Sequence, residues 1–257
     1  MTLTAPERLI VAADFQPSGD EAWREQREGS FWPSADLSWV RERVIGLAED
    51  LKRTGVYIKV NSALRACGYS LIGEIQSRGL RAFADLKIFD IGRTLSTDGV
   101  LLREARPELL TVASIAGVAA MKALKAELPN TEVLGVGVLT SLNLADTSEM
   151  FGDTVEASVR KFAFLAEVAG LDGLICAPTD IAHIRSVITR QMSFNTPAIR
   201  PTWAIVPGDD QNPDRVMTPA KAIKAGADRI VVGGPIINAR KPYDAVMRTI
   251  EEISQAM

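Results

Sequence analysis

Short apolar runs recur along the chain, and each ends near polar or glycine residues. Eight are rich enough in β-branched residues to predict strands. They are Arg8–Asp14, Val56–Asn61, Arg81–Lys87, Leu109–Ser114, Glu132–Thr140, Gly173–Ala177, Thr202–Pro207 and Arg229–Gly234. Between them the apolar spacing changes from continuous to three and four residues, the period of an amphipathic helix. Asp36–Lys52 shows it behind a cap at Asp36 or Ser38, and Val155–Ala169 shows it too. Pro219–Ala225 does so with Thr218 as cap and Pro219 at the first helical position.

Strands that are apolar throughout and alternate with helices indicate a parallel sheet covered on its outer face. Eight such units close a barrel, and the 257 residues are about what one α/β barrel uses. The prediction is a single (β/α)8 TIM barrel spanning 1–257, with an inserted loop after the first strand. An open doubly wound sheet is the alternative, but no Gly-x-Gly-x-x-Gly turn follows the first strand. The loop, Phe15–Leu37, has Trp23, Trp32 and Trp39 in or beside it. Two readings stand open: a local aromatic mini-core, or a lid or subunit contact at the catalytic face.

Composition adds limits. Apolar residues make up 47% and charged residues 24% of the chain, which supplies an ordinary globular core. The formal net charge of −3 argues against a nucleic-acid surface but leaves room for a small anionic substrate. Cys67 and Cys176 lie far apart in mostly apolar surroundings and are expected to be buried thiols rather than a disulfide. Neither a signal-peptide core in Met1–Arg8 nor an apolar run of membrane-spanning length is visible, so a cytoplasmic protein without membrane contact is expected.

The barrel also predicts where chemistry resides, because active sites of this fold gather at the carboxyl ends of the strands. Asp14, Lys59, Asp85, Lys87, Thr140 and Gly234 all fall at or near such ends. Asp85 and Lys87 share one strand face through the period of two, and Asp90 lies just beyond. Lys59 ends the neighbouring strand, so four alternating charges are expected to form one network. The plainer reading makes the two lysines salt-bridge partners that close the barrel top. Unpaired charges there would be costly.

The phrase AFADLKIFDIGRTL resembles the signature Asp-x-Lys-x-x-Asp-Ile-x-x-Thr of the orotidine 5'-monophosphate decarboxylase family, with Asp85, Lys87, Asp90, Ile91 and Thr94 matching. Ala13-Asp14, Ile58-Lys59-Val60, Val138-Leu139-Thr140-Ser141 and the run Arg215–Ile236 agree in the same order. The resemblance implies a carboxy-lyase of pyrimidine biosynthesis that works without cofactor or metal. A lone histidine, His183, and the lack of a clustered His/Cys set suit that, and His183 is expected at the surface. The resemblance further implies catalytic roles for Lys87, Asp85, Lys59 and Asp90. It puts Asp14 on ribose hydroxyls, Thr140 and Ser141 at the pyrimidine edge, and Gln211, Gly233 and Gly234 at the phosphate end. Asp90 and Thr94 would reach the substrate of a second subunit, so a homodimer with shared sites is implied.

The phosphate end departs from the family. Its eighth strand runs Val-Gly-Arg-Pro-Ile, whereas here Val232-Gly233-Gly234-Pro235-Ile236 lacks the arginine. Its seventh strand runs into Pro-Gly-Ile-Arg, and with that strand at Thr202–Pro207 the following Gly208-Asp209-Asp210 lacks a second one. Arg24, Arg27 and Arg240 are candidate replacements. Three readings follow: a decarboxylase with a rebuilt phosphate grip, a paralogue acting on another carboxylated or phosphorylated substrate, and a non-catalytic barrel. The intact charged set speaks against the third.

Overall fold

The computed structural model describes residues 3–15, 38–204 and 216–257. Eight parallel strands close a barrel in sequence order: β1 (Leu9–Ala12), β2 (Tyr57–Val60), β3 (Arg81–Ile88), β4 (Leu109–Ala113), β5 (Glu132–Val136), β6 (Gly173–Ile175), β7 (Ser193–Thr196) and β8 (Arg229–Val232). Closure is made by β1 against β8, with Val11 level with Val232. The open-sheet alternative is thereby excluded.

Period-two alternation sorts each strand into two environments. Leu9, Val11, Ile58, Val60, Ala82 and Ala84 face the helices in the larger core. Ile10, Ala12, Tyr57, Phe83, Leu134 and Val231 fill the barrel interior. Continuing the inward register of Tyr57 and Phe83 by two residues puts Lys59 and Asp85 inside, one layer higher. The apolar layer beneath them shields both from solvent.

The helices hold the predicted pattern where it was strongest. Within the helix α1 (Ser38–Asp50), Val44, Leu47 and Ala48 are buried. Val155–Ala169 is helical over that whole span, with the Thr154 hydroxyl accepting from Ala157 N at 3.1 Å. Pro219–Lys224 starts behind Thr218 as expected. Asp36 and most of the Phe15–Leu37 loop, with Trp23, Trp32, Arg24 and Arg27, lie outside the described residues.

The seventh strand is a correction. It is Ser193–Thr196, and Thr202–Ala204 is a single 3-10 turn. The strand escapes an apolar scan because its inward residues are polar. Asn195 Nδ2 donates to Leu174 O at 3.3 Å, and its Oδ1 accepts from Arg229 at 3.1 Å. Ser193 donates to Glu132, whose carboxylate takes Arg229 over 3.0 and 2.8 Å. Together with Tyr57, whose ring lies 5.2 Å beneath the Arg229 guanidinium, these groups form a charged floor to the barrel. Burial alone would lower the Arg229 pKa, yet Glu132 overcomes that and raises it. Gly173 is needed beside this strand, since a Cβ there would come within 2.1 Å of Ser193 Oγ.

The two cysteines form no disulfide, and Cys176 is buried while Cys67 is only half-buried, which corrects the expectation for Cys67. His183 is half-buried in a short helix, Ile181–Arg185, and its Nδ1 lies 3.2 Å from Glu156. Among the described residues no helix is long and apolar enough to cross a membrane.

Candidate active site

A cavity of about 1040 Å³ opens at the carboxyl ends of the strands. Its walls include Asp14, Lys59, Asp85, Lys87, Thr140, Ser141, Gly233 and Gly234, so eight of the eleven predicted site residues converge on one volume. Their convergence follows from topology. Each ends or follows a strand of a closed parallel barrel, and all parallel strands end on the same face.

The charged centre is a chain of ion pairs. Lys59 Nζ lies 2.7 Å from Asp14 Oδ2 and 3.1 Å from Asp85 Oδ2, while Lys87 Nζ lies 2.7 Å from Asp85 Oδ1. Lys59 and Asp85 are buried, and Lys87 reaches into the open part of the cavity with a third of its side chain exposed. Burial pushes the Lys59 ammonium down, but Asp85 and Asp14 outweigh it and leave the pKa above that of an ordinary lysine. For Asp85, burial pushes up and the two lysines push down harder, so its carboxyl stays below the usual carboxylate range. Lys59 and Asp85 are therefore both charged near neutrality.

Two features of this centre were not legible in the sequence. Thr111 on β4 is fully buried, and its Oγ1 accepts from Lys87 N and donates to Asp85 Oδ1, both at 2.9 Å. Lys87 has φ +48°, where the β3–β4 register breaks between Ala84 and Ile88. A lysine in the left-handed region is strained by roughly 1–2 kcal/mol, and such strain concentrates at functional sites. The break turns the strand end and aims the Lys87 ammonium back at Asp85.

Asp90 does not join this chain of charges, which corrects the expected four-member network; within one subunit Asp14 takes the fourth place. Asp90 is exposed, outside the cavity wall, and accepts from Ile91 N at 2.7 Å. It faces Asp98, whose pKa is raised by burial and then by Asp90. Thr94 is half-buried on the helix Gly92–Ala105 and is likewise outside the cavity wall. Phe89 and Ile91, on either side of Asp90 in the chain, are exposed.

The true β7 moves a motif as well. That strand runs directly into Pro197-Ala198-Ile199-Arg200, so the Pro-Gly-Ile-Arg pattern sits here with alanine in the glycine place. The second arginine is present after all: Arg200 lines the cavity. Its backbone is fixed to Met217 by Arg200 N to Met217 O at 3.0 Å and Met217 N to Ala198 O at 3.2 Å. Ala198 adopts φ +62°, which glycine would adopt without strain. Gly234, by contrast, has no left-handed φ, and a Cβ on it would meet Asn238 at an ordinary 3.6 Å. Gln211 lies outside the described residues, and Arg240 is not part of the cavity wall.

A closed parallel barrel with lysines and aspartates interleaved at its mouth defines a (β/α)8-barrel enzyme that handles a small anionic substrate. The family model described as Orotidine 5'-phosphate decarboxylase / HUMPS family matches residues 7–249. The chain belongs to that family. Orotidine 5'-phosphate decarboxylase of Methylobacterium sp. (strain 4-46) is 35% identical, with 99% of this chain and 98% of that protein covered. The enzyme of that name from Rhodopseudomonas palustris (strain ATCC BAA-98 / CGA009) is 38% identical over 74% of this chain and 79% of its own. The crystal structure of Orotidine 5'-phosphate decarboxylase from Lactobacillus acidophilus superimposes with a TM-score of 0.71 at 25% identity, covering 96% and 99% of the two chains.

Proposed function

We propose that this chain is a decarboxylase of pyrimidine biosynthesis that converts orotidine 5'-phosphate to uridine 5'-phosphate and CO2. The observation that carries the reading is the chain of ion pairs Asp14–Lys59–Asp85–Lys87 within the cavity. Breaking the bond between carbon 6 and its carboxylate releases CO2 and leaves the electron pair on carbon 6. The Lys87 ammonium beside that carbon stabilises the developing charge and then delivers a proton, which solvent later restores to the lysine. Asp85 stands next to the departing carboxylate and holds Lys87 in place. Lys59 compensates Asp85, so that an aspartate stays charged in a buried position. Asp14 accepts from ribose hydroxyls, and Thr140 and Ser141 meet the pyrimidine edge.

At the phosphate end, Arg200 supplies a cation, and Gly233 and Gly234 keep that wall free of side chains. Gln211 belongs to the same group. The reaction runs without metal or cofactor, because the protonated lysine does the work of an electrophile. A cytoplasmic single-domain enzyme is part of this reading. So is a homodimer, in which Asp90 and Thr94 cross to the neighbour's substrate; their place outside their own cavity and the exposed Phe89 and Ile91 on either side of Asp90 support it.

One observation favours a second reading, a paralogue with another phosphorylated or carboxylated substrate: glycine replaces the family's arginine at 234. A decarboxylation assay on orotidine 5'-phosphate, run with and without a chelator, separates the two. Turnover that survives chelation is expected. No turnover, or turnover that is lost on chelation and restored by magnesium, overturns the primary reading.

A further inference from the structure

The cavity holds a second arginine that the sequence did not single out. Arg43 projects from α1, and its guanidinium stacks 5.0 Å from the Phe15 ring and 5.9 Å from the Trp39 ring. All three residues line the same cavity as Lys87 and Gly234. Among the described residues no carboxylate is seen to pair with Arg43, whereas the lysines and aspartates of this mouth pair with one another: Lys59 is engaged by Asp14 and Asp85, and Lys87 by Asp85. Its charge is thus held in position by two aromatic faces, with no acid paired to it among the described residues. Stacking of that kind orients a guanidinium and leaves its edge N–H groups free to bind an anion.

The strand register puts this cation beside the gap left by Gly234. Val11 on β1 is level with Val232 on β8, and a Cβ on Gly233 would lie 3.4 Å from Ala12 Cβ. Phe15 follows β1 by three residues, and Gly234 follows β8 by two. The ring that carries Arg43 and the missing side chain therefore stand at the tops of adjacent strands. The backbone at Gly234 would accept an arginine, since it has no left-handed φ and a Cβ meets no closer neighbour than Asn238 at 3.6 Å.

We propose that Arg43 is a substrate-binding residue that takes the phosphate group of the nucleotide in place of the arginine absent at 234, and so sets the preference for the 5'-phosphorylated substrate. This rests on the functional reading above and deepens it. Two cations from different walls, Arg43 from α1 and Arg200 after β7, then bracket a dianion. A charge-assisted pair of this kind changes binding by about 10- to 100-fold.

The experiment compares the parent, Arg43→Gln, Gly234→Arg and the double variant. It measures kcat/KM on orotidine 5'-phosphate and, by calorimetry, the affinity for uridine 5'-phosphate and for unphosphorylated uridine. Arg43→Gln is expected to lose about 10- to 100-fold on both nucleotide measurements and to leave uridine affinity unchanged. Gly234→Arg should recover most of that loss in the double variant and add far less to the parent. Unchanged nucleotide affinity in Arg43→Gln overturns the inference. An equal loss on nucleotide and nucleoside overturns it as well, because that outcome reports general damage to the cavity. Failure of the double variant to recover overturns the shared location of positions 43 and 234. A parent that neither turns over orotidine 5'-phosphate nor binds uridine 5'-phosphate overturns the functional reading itself.

Discussion

The hydroxyl of Thr111 donates to Asp85 Oδ1 at 2.9 Å while accepting the backbone N–H of Lys87 at the same distance. A single buried oxygen on β4 thereby ties the carboxylate of the charged centre to the strained backbone of the lysine beside it. Thr111→Val keeps the shape but leaves the Lys87 N–H without an acceptor and removes one donor from Asp85. Hydrogen bonds to charged groups contribute about 1.5–3 kcal/mol, so kcat should fall roughly 10- to 100-fold. KM should change little, because Thr111 is not part of the cavity wall. Thr111→Ser should restore most of kcat. A fall in stability with kcat intact would reduce Thr111 to a packing residue.

Lys87→Ala should abolish turnover while the barrel remains folded. The side chain is a third exposed and contributes to the cavity rather than to either hydrophobic core. Activity of the purified variant above a few per cent of the parent would take Lys87 out of the chemical step.

The charged centre predicts a pH response at both extremes. Asp85 is held below its ordinary pKa, so the stability it contributes is present above that ordinary value and is lost as pH falls through its native one. Lys59 is held above its ordinary pKa, so its contribution is present below about pH 10 and is lost as pH rises further. Neither group titrates between roughly pH 5 and 9, and neither should produce a break in kcat there. Chemical denaturation at several pH values tests this. Asp85→Asn should flatten the acid limb of the stability curve, and an unchanged acid limb would separate Asp85 from the pH response.

Asp90 lies outside its own cavity, on a rim with exposed Phe89 and Ile91. If it serves a neighbouring subunit, mixing inactive Lys87→Ala with inactive Asp90→Ala should return activity, since a hybrid dimer assembles one complete site. No recovery under conditions proven to exchange subunits would confine Asp90 to its own chain.

Ala198 sits at φ +62° between β7 and Arg200. Ala198→Gly relieves the left-handed strain of about 1–2 kcal/mol and loses part of that to a freer unfolded chain. A net gain of up to about 1 kcal/mol in unfolding free energy is expected, with kcat/KM nearly unchanged. A lower stability would mean that the alanine methyl packs usefully where it stands.

Most of the barrel was written in hydrophobic periodicity. Seven strands were legible because their residues are apolar on both faces, as a covered parallel sheet requires. The seventh in order, Ser193–Thr196, was not, because its polar inward residues are satisfied by groups on other strands, chiefly Arg229 and Glu132. The apolar run Thr202–Pro207 took its place, and that displacement hid Arg200 from the phosphate motif. Asp90 was assigned to the internal network because spacing measures distance along the chain. The strand end turns at Lys87, and Asp90 leaves on the outer side of that turn.

The chain by itself determined the fold class and the composition of the charged centre, since both rest on local patterns: period, strand ends and the Asp-x-Lys spacing. Tertiary structure alone decided which charges touch, that Thr111 bridges two of them, and that Arg43 and Arg200 share the mouth with Gly234. Those relations join residues far apart in sequence, and they exist only once closure of the barrel brings the strand ends together.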